Sequence, residues 1–419
     1  MTDGARGVER IYLLLTLLTT LAASFIWGIN TLFLLDAGLS NTEAFAANAF
    51  FTVGQVLFEV PTGVVADTRG RRYSFMLGAG TLLLSTLLYL LMWNMGAPFW
   101  GWAIASILLG LGFTFFSGAT EAWLVDALAA RGFSGDLETV FGRAQVVGGI
   151  AMLTGSVLGG VIAQLTDLGV PYIVRAAMLG ITLIVAWRFM HDIGFKPDRT
   201  ATPVRAVRTV LTGAIDGGLR NRPVRWLMLA APFTMGVGFY AFYAFQPYLL
   251  ELYGDPNAYS IAGLAAAILA GAQIVGGLLV PLARRIFSRR TSVVIASAFL
   301  SVVFLVWIGL TTSFVLALVL VAVWSVVLAI EEPMRRAFMN GIISSEQRAT
   351  VLSFDSLMGS SGGVVIQPAL GRTADAFGYG ASYLVAGGIQ ALAIPFALLA
   401  RRERAPSDPI TVEVAEDPA

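Results

Sequence analysis

Twelve apolar stretches, each about as long as a bilayer is thick, occupy most of this 419-residue chain. A spanning helix needs about 20 mostly apolar residues to cross about 30 Å of hydrocarbon. The stretches run over 11–35, 44–66, 73–95, 99–128, 140–165, 171–191, 224–251, 259–283, 291–311, 313–338, 348–374 and 380–400. Hydrocarbon offers no water to backbone N–H and C=O groups, so the expected fold is an all-α membrane protein of twelve transmembrane helices. Only 13% of the residues are charged, about half the share usual in a soluble domain. The 45 glycines are also in excess, as helices packed closely on small residues require.

The same composition excludes several functions. With no cysteine there is no disulfide framework and no thiolate chemistry, and the lone His191, expected at a helix end, cannot build a histidine metal cluster. No metal or cofactor is therefore expected. A net charge of +1 gives no footprint for nucleic acid. No nucleophile motif or appended soluble domain is present, so an enzyme is not expected. Met1–Arg10 is polar and the apolar run behind it lacks a small-residue cleavage site, which argues against a cleaved signal peptide.

Basic residues set the orientation. If both termini are cytoplasmic, every one of the 27 basic residues falls inside except Arg175 and Arg372, which are expected at the outer surface. The polar, basic segment 192–223 divides the chain into an N-terminal six-helix bundle, 1–191, and a C-terminal one, 224–402, and the acidic, proline-containing tail 403–419 reads as disordered. The two bundles repeat one another. Gln55 matches Gln273, Arg71-Arg72 match Arg289-Arg290, Glu121 matches Glu331, and Val157-Leu158-Gly159 match Ala369-Leu370-Gly371, in the same order at an offset near 210 residues.

Between the second and third stretches lies Gly63-Val-Val-Ala-Asp67-Thr-Arg-Gly70-Arg71-Arg72. Gly63 and Gly70 allow close approach and a sharp turn, and Asp67 ends a helix where an arginine or a helix N-terminus can meet it. This glycine–acid–glycine–arginine spacing resembles the loop between the second and third helices of major facilitator superfamily transporters. The resemblance implies two pseudo-symmetric six-helix bundles with a site between them near the midplane. It also implies that the loop is a cytoplasmic latch, whose partners would be Asp126, at the end of the fourth helix, and the start of the eleventh, near Glu346–Ser353. The second half keeps Arg289-Arg290 but has Pro281 and Arg285 where Gly63 and Asp67 stand, which implies an asymmetric latch.

Intramembrane acids are functional candidates by default. Glu59 lies two turns deeper than Asp67 on the same face. Glu121, in Ser117-Gly-Ala-Thr-Glu121-Ala-Trp-Leu-Val-Asp126, is the first candidate for proton coupling, since the fourth helix lines the cavity in the resembling family. Its repeat mate Glu331 stands beside Glu332 and Pro333, a combination that suggests a partly hydrated helix. Gly155-Ser156-Val-Leu-Gly159-Gly160 resembles the exporter motif of the family with serine in place of its proline; close packing explains its glycines equally well. Trp27, Asn30, Gln55, Tyr240, Tyr243, Gln246 and Gln273 are aromatic and polar candidates for a cavity that takes a lipophilic ligand.

Together these features resemble the twelve-helix drug/proton antiporter branch, which includes multidrug and tetracycline efflux proteins associated with antibiotic resistance. They imply a monomer in the inner (plasma) membrane that exports a small hydrophobic compound in exchange for protons. The alternatives are an uptake symporter, a proton-independent exporter of a lipid-like or siderophore-like compound, and a non-transporting membrane sensor.

Overall fold

The computed structural model describes residues 3–116, 118–197, 203–344 and 347–410. Ser117 of the predicted Glu121 motif, Glu346 of the predicted latch partner, 198–202 of the linker and 411–419 of the tail lie outside the described residues.

The helices are, in chain order, α1 (Asp3–Trp27), α2 (Asn30–Asp36), α3 (Asn41–Arg69), α4 (Arg71–Met95), α5 (Phe99–Thr114), α6 (Ala119–Ala130), α7 (Leu137–Leu165) and α8 (Val170–Phe189). A linker helix α9 (Pro203–Gly213) continues into a π-helical turn, Ala214–Leu219. Then follow α10 (Arg222–Tyr253), α11 (Tyr259–Ile286), α12 (Arg290–Leu310), α13 (Phe314–Asn340), α14 (Arg348–Ala391) and α15 (Ala393–Arg402).

Eleven segments among the described residues are long and apolar enough to cross a membrane. The last of them, Thr350–Arg402, has 53 residues, about 80 Å of helix at 1.5 Å per residue. That length suits two spans, and the chain turns between them at Gly378, whose φ of 84° suits a residue without a side chain. The expected twelve spans are thus present. Two are interrupted: the first at Gly28–Ile29, and the fourth after Thr114, where Phe115 and Phe116 leave the helix and Gly118 takes φ 66°, so 99–128 is not one continuous helix.

Local sequence explains several boundaries. Ser40 and Glu43 form a capping box at the start of α3: the Glu43 N–H donates to Ser40 Oγ at 3.3 Å, and the Ser40 N–H to Glu43 Oε2 at 2.9 Å. Gly96, in the left-handed region with φ 57°, closes α4.

The chain forms two compact units, one of Met1–Arg208 with Tyr243–Ala270 and one of Thr209–Phe242 with Gly271–Ala419. By packing, Tyr243–Ala270 groups with the N-terminal helices. The second part of α10 and the first part of α11 pack with the N-terminal helices, where Gly263 meets Gly160 and Gln246 bonds Trp27 and Thr31.

In the first unit α1 lies along α7 and α8, and α3 along α5. A Cβ on Gly159 would collide with the Phe25 carbonyl, so the α1–α7 crossing needs its glycine. Ser24 Oγ donates to the Ala151 carbonyl at the same crossing, at 3.1 Å. Gly160 meets Gly263 of α11: a Cβ on Gly160 would stand 2.6 Å from the Tyr259 carbonyl oxygen. Gly155, Gly159 and Gly160 thus serve close packing in this structure.

In the second unit α12 packs on α13 and α14. Tyr240 is fully buried and hydrogen-bonds Ser382, while the Tyr383 hydroxyl donates to the Ala241 carbonyl at 3.0 Å. Residues 403–410, expected to be disordered, instead dock on this unit. The Arg290 N–H donates to the Asp408 carbonyl at 2.8 Å, the Ile410 N–H to the Ser288 carbonyl at 2.9 Å, and Ser407 Oγ to the Phe338 carbonyl at 2.7 Å. Composition could not show this, because the segment satisfies backbone groups that other elements leave open.

Candidate functional site

The motif segment closes one end of the first unit. Arg71 Nη1 pairs with Asp67 Oδ1 at 2.5 Å, and its Nε lies 4.0 Å from Asp126 Oδ2. The predicted Asp67, Arg71 and Asp126 therefore meet. Sequence reasoning missed a fourth member, Asp192. Its carboxylate accepts the Arg72 N–H at 2.9 Å, and a Cβ on Gly70 would strike it. Gly70 is required by its backbone, with φ 115°. Arg72 Nη2 also donates to the Trp187 carbonyl at 2.5 Å, and the Arg71 guanidinium lies 5.8 Å from the Phe195 ring centroid. Gly63, by contrast, has open space where a side chain would stand.

Asp192 has a counterpart in the second unit. The Thr291 N–H, at the start of α12, donates to Asp408 Oδ1 at 2.9 Å, and Arg290 Nη1 donates to the Ser407 carbonyl. In both cases an acid behind the sixth span of its half caps the helix that begins at the arginine pair. The second copy of the motif thus keeps a part that the loop sequence does not display. Asp192→Ala and Asp408→Ala are each expected to cost about 1 kcal/mol, read as a lowered Tm of the detergent-solubilised protein. An unchanged Tm in both would refute the capping role.

At the other end of the first unit the break in the first span is filled by side chains. Gln246, fully buried, accepts the Thr31 N–H on its Oε1 at 3.0 Å and donates from Nε2 to the Trp27 carbonyl at 3.0 Å. Asn30 donates to Asn48 Oδ1 at 2.9 Å and accepts from the Tyr172 hydroxyl at 3.0 Å. Phe33 stacks on Tyr172 with ring centroids 4.0 Å apart. Gln246 is thus committed to the helix ends at Trp27 and Thr31, and Asn30 to Asn48 and Tyr172.

Arg175, expected at the outer surface, is only 2% exposed. Its Nε donates to Thr86 Oγ1 at 3.0 Å and its Nη1 to the Ala22 carbonyl at 3.3 Å. The side chain turns inward because α8 packs on α1 and α4. Arg372 is exposed, as expected, and His191 follows the end of α8, where its carbonyl accepts from Trp123 Nε1 at 2.7 Å.

The remaining candidates separate by burial. Gln55, Glu59 and Tyr243 are half-buried, and Gln273 is exposed. Tyr240 ties α10 to α14 and lines no cavity described in this structure. Glu121 is exposed in the first turn of α6, so the expectation of a carboxylate removed from solvent fails there. The break before α6 places it at a helix N-terminus, where a carboxylate is favoured.

Its repeat mate differs. A cavity of about 590 Å³ opens in the second unit between α10, α13 and α14, with Phe239, Met235, Met339, Leu328 and Leu352 among its lining residues. Glu331 lines it and is 7% exposed. Beside it Arg335 binds Asp355 with two hydrogen bonds, Nη1 to Oδ2 at 2.7 Å and Nη2 to Oδ1 at 2.5 Å. Glu332, exposed, pairs with Arg336 one turn on.

Four carboxylates among the described residues are buried: Glu9, Glu331, Asp355 and Asp408. Glu9 pairs with Arg143 at 2.7 Å, Asp355 with Arg335, and Asp408 accepts backbone N–H. Glu331 alone has no ion pair or hydrogen bond to its carboxylate from a described residue.

Twelve apolar spans, small-residue helix crossings and a cavity holding a buried carboxylate define a membrane transporter. The chain matches the Major Facilitator Superfamily model over residues 12–365 and belongs to that family. It is a transporter and not an enzyme. It is similar to the uncharacterized MFS-type transporter MJ1560 of Methanocaldococcus jannaschii, at 23% identity over 55% of this chain. The match spans 57% of that relative's length.

Among solved structures, the nucleoside transporter NupG superposes with a TM-score of 0.79 at 11% identity, covering 94% of this chain and 98% of that one. A D-xylose-proton symporter gives 0.65 at 15%, covering 94% and 97%. A bacterial homolog of the human lysosomal transporter Spinster gives 0.72 at 15%, covering 97% and 99%. At these identities the likeness shows the fold.

Proposed function

We propose that this chain is a proton-coupled secondary transporter that exports a hydrophobic, drug-like compound by alternating access. The observation that carries the reading is Glu331, a buried carboxylate with no ion pair or hydrogen bond from a described residue, in a cavity whose lining includes Met235, Phe239, Leu328, Met339 and Leu352. A bare charge in such a place is costly, so the group is stable when it holds a proton or faces a ligand, and each excludes the other. That exclusion couples the two fluxes. Glu331 takes a proton as substrate leaves on the outer side, and releases it inside as the next substrate enters.

Both termini are assigned to the cytoplasm of the plasma (inner) membrane, on the distribution of basic residues. The six-helix halves 1–191 and 224–402 are the rocking bodies, and the Asp67–Arg71–Asp126 contacts, with Asp192 behind them, form and break during the cycle. Glu121, exposed in this structure, is assigned no proton step.

Everted membrane vesicles that carry the chain test the reading with a panel of fluorescent hydrophobic compounds. Energised vesicles should accumulate at least one compound, and a protonophore should collapse the accumulation. Accumulation that persists with the proton gradient dissipated would refute proton coupling.

A further inference from the structure

We propose that the second copy of the motif, at the turn between α11 and α12, binds a phospholipid with an anionic headgroup. Arg285 and Arg289 hold the headgroup phosphate, and a groove beside them takes an acyl chain. The inference needs only that the chain spans a membrane, and it goes beyond the transport reading.

The two copies of the motif differ in their acids. In the first, Asp67 and Asp126 both face Arg71. In the second, Arg285 stands where Asp67 does, and the register that matches Glu121 to Glu331 puts Arg336 where Asp126 does. Both neutralising acids are thus replaced by cations. Arg284, Arg285 and Arg289 are exposed, and none has an ion pair with a described residue. Arg290 donates to the Ser407 and Pro409 carbonyls, which bring no charge to offset it. Asp408, the acid that docks here, is buried and accepts the Thr291 N–H. At this turn, among the described residues, four arginines stand with one carboxylate.

A groove of about 180 Å³ adjoins the turn, between the end of α11 and the start of α12, with Val327 of α13 also lining it. Leu282, Ile286 and Leu300 are exposed there, whereas Ala283 and Ser297 are small and buried. Small side chains among larger ones leave the depression. It is smaller than the about 300 Å³ at which sites for drug-sized ligands begin, and its apolar walls suit a length of hydrocarbon chain.

Any lipid chain satisfies such walls, so the charge selects the headgroup. Arg285 follows Leu282 by three positions, which sets both toward one side of α11, and Arg289 follows Ile286 by three. The guanidinium fork matches a pair of phosphate oxygens, and basic residues at the cytoplasmic surface attract anionic lipid. A zwitterionic headgroup brings its own positive charge to a place that is already positive.

Dioleoyl phosphatidylglycerol and dioleoyl phosphatidylcholine share their chains and differ in charge. Each is titrated into the purified full chain in detergent, and bound lipids are counted by native mass spectrometry. The first phosphatidylglycerol should bind about tenfold or more tighter than the first phosphatidylcholine. Replacing the pair, Arg285→Gln with Arg289→Gln, should remove that preference, and Arg285→Lys with Arg289→Lys should keep part of it. Arg401→Gln with Arg402→Gln takes the same charge from exposed positions at the end of α15 and should leave it intact. Excess inorganic phosphate should not displace the lipid, because it has no chain for the groove.

Equal binding of the two lipids by the unmodified chain overturns the proposal. So does a preference lost equally in both glutamine pairs, which would make it an effect of total charge. Displacement by inorganic phosphate would make the turn a site for a free anion and overturn the lipid. A preference seen only in a chain ending at Ile410 would mean that Glu413, Glu416 and Asp417 hold the arginines in the full chain, and it overturns the proposal too. None of these outcomes depends on Glu331 or on what the chain transports.

Discussion

Glu331→Gln is expected to reduce proton-driven accumulation in everted vesicles about a hundredfold or more, to the level of vesicles lacking the chain, while the protein remains folded. The amide matches the carboxylate in shape but does not exchange a proton, so the exclusion that couples the fluxes is lost. Removing a buried charge that no described residue pairs is commonly neutral or stabilising, so the variant's Tm should not fall. The same substitution at Asp355 would strand Arg335, its partner at 2.5 Å, and should be strongly destabilising. Undiminished, gradient-driven accumulation by Glu331→Gln would remove the carboxylate from the mechanism.

The largest structural effect is expected at Gly159. Any side chain there places its Cβ against the Phe25 carbonyl, and the obstacle is backbone, which cannot rotate aside. Gly159→Leu must push α1 and α7 apart along a crossing that also contains Gly155 and the Ser24–Ala151 hydrogen bond. Overpacking typically costs about 1–3 kcal/mol where side chains can shift, and here they cannot. Size-exclusion profiles in mild detergent should show little monodisperse Gly159→Leu protein. Gly142→Ala, on the same helix with open space around it, should elute as the unmodified chain does. A normal profile for Gly159→Leu would mean that the crossing is looser than described.

The spans were legible in the sequence because a bilayer imposes a length and an apolarity that survive any packing arrangement. The Asp67–Arg71 ion pair was legible because the two residues are one helical turn apart in number and meet locally. Features that depend on distant partners were not. Asp192 looks like one more linker acid until α8 returns it to Gly70, and Asp408 sits in a stretch whose composition suits disorder. Arg175 lies five residues into α8, where a long side chain can reach the surface or turn inward, and the helices packed on it decide which. Glu121 and Glu331 are matched by the repeat yet differ in exposure, because the break after Thr114 places Glu121 in the first turn of α6, whereas α13 carries Glu331 well inside its length. Repeat matching finds equivalent positions, and burial tells the two carboxylates apart.

The two ends of the first unit are held by different forces, which makes them respond differently to ionic strength. At the Arg71 end the contacts are ion pairs, with Asp67 48% and Asp126 38% exposed, and added salt screens such pairs over about 8 Å at 0.15 M and about 3 Å at 1 M. At the Gln246 end a neutral carboxamide, sealed from solvent, bridges the Thr31 N–H and the Trp27 carbonyl, and there is no net charge for salt to screen. Salt therefore loosens one end of the unit and leaves the other as it was.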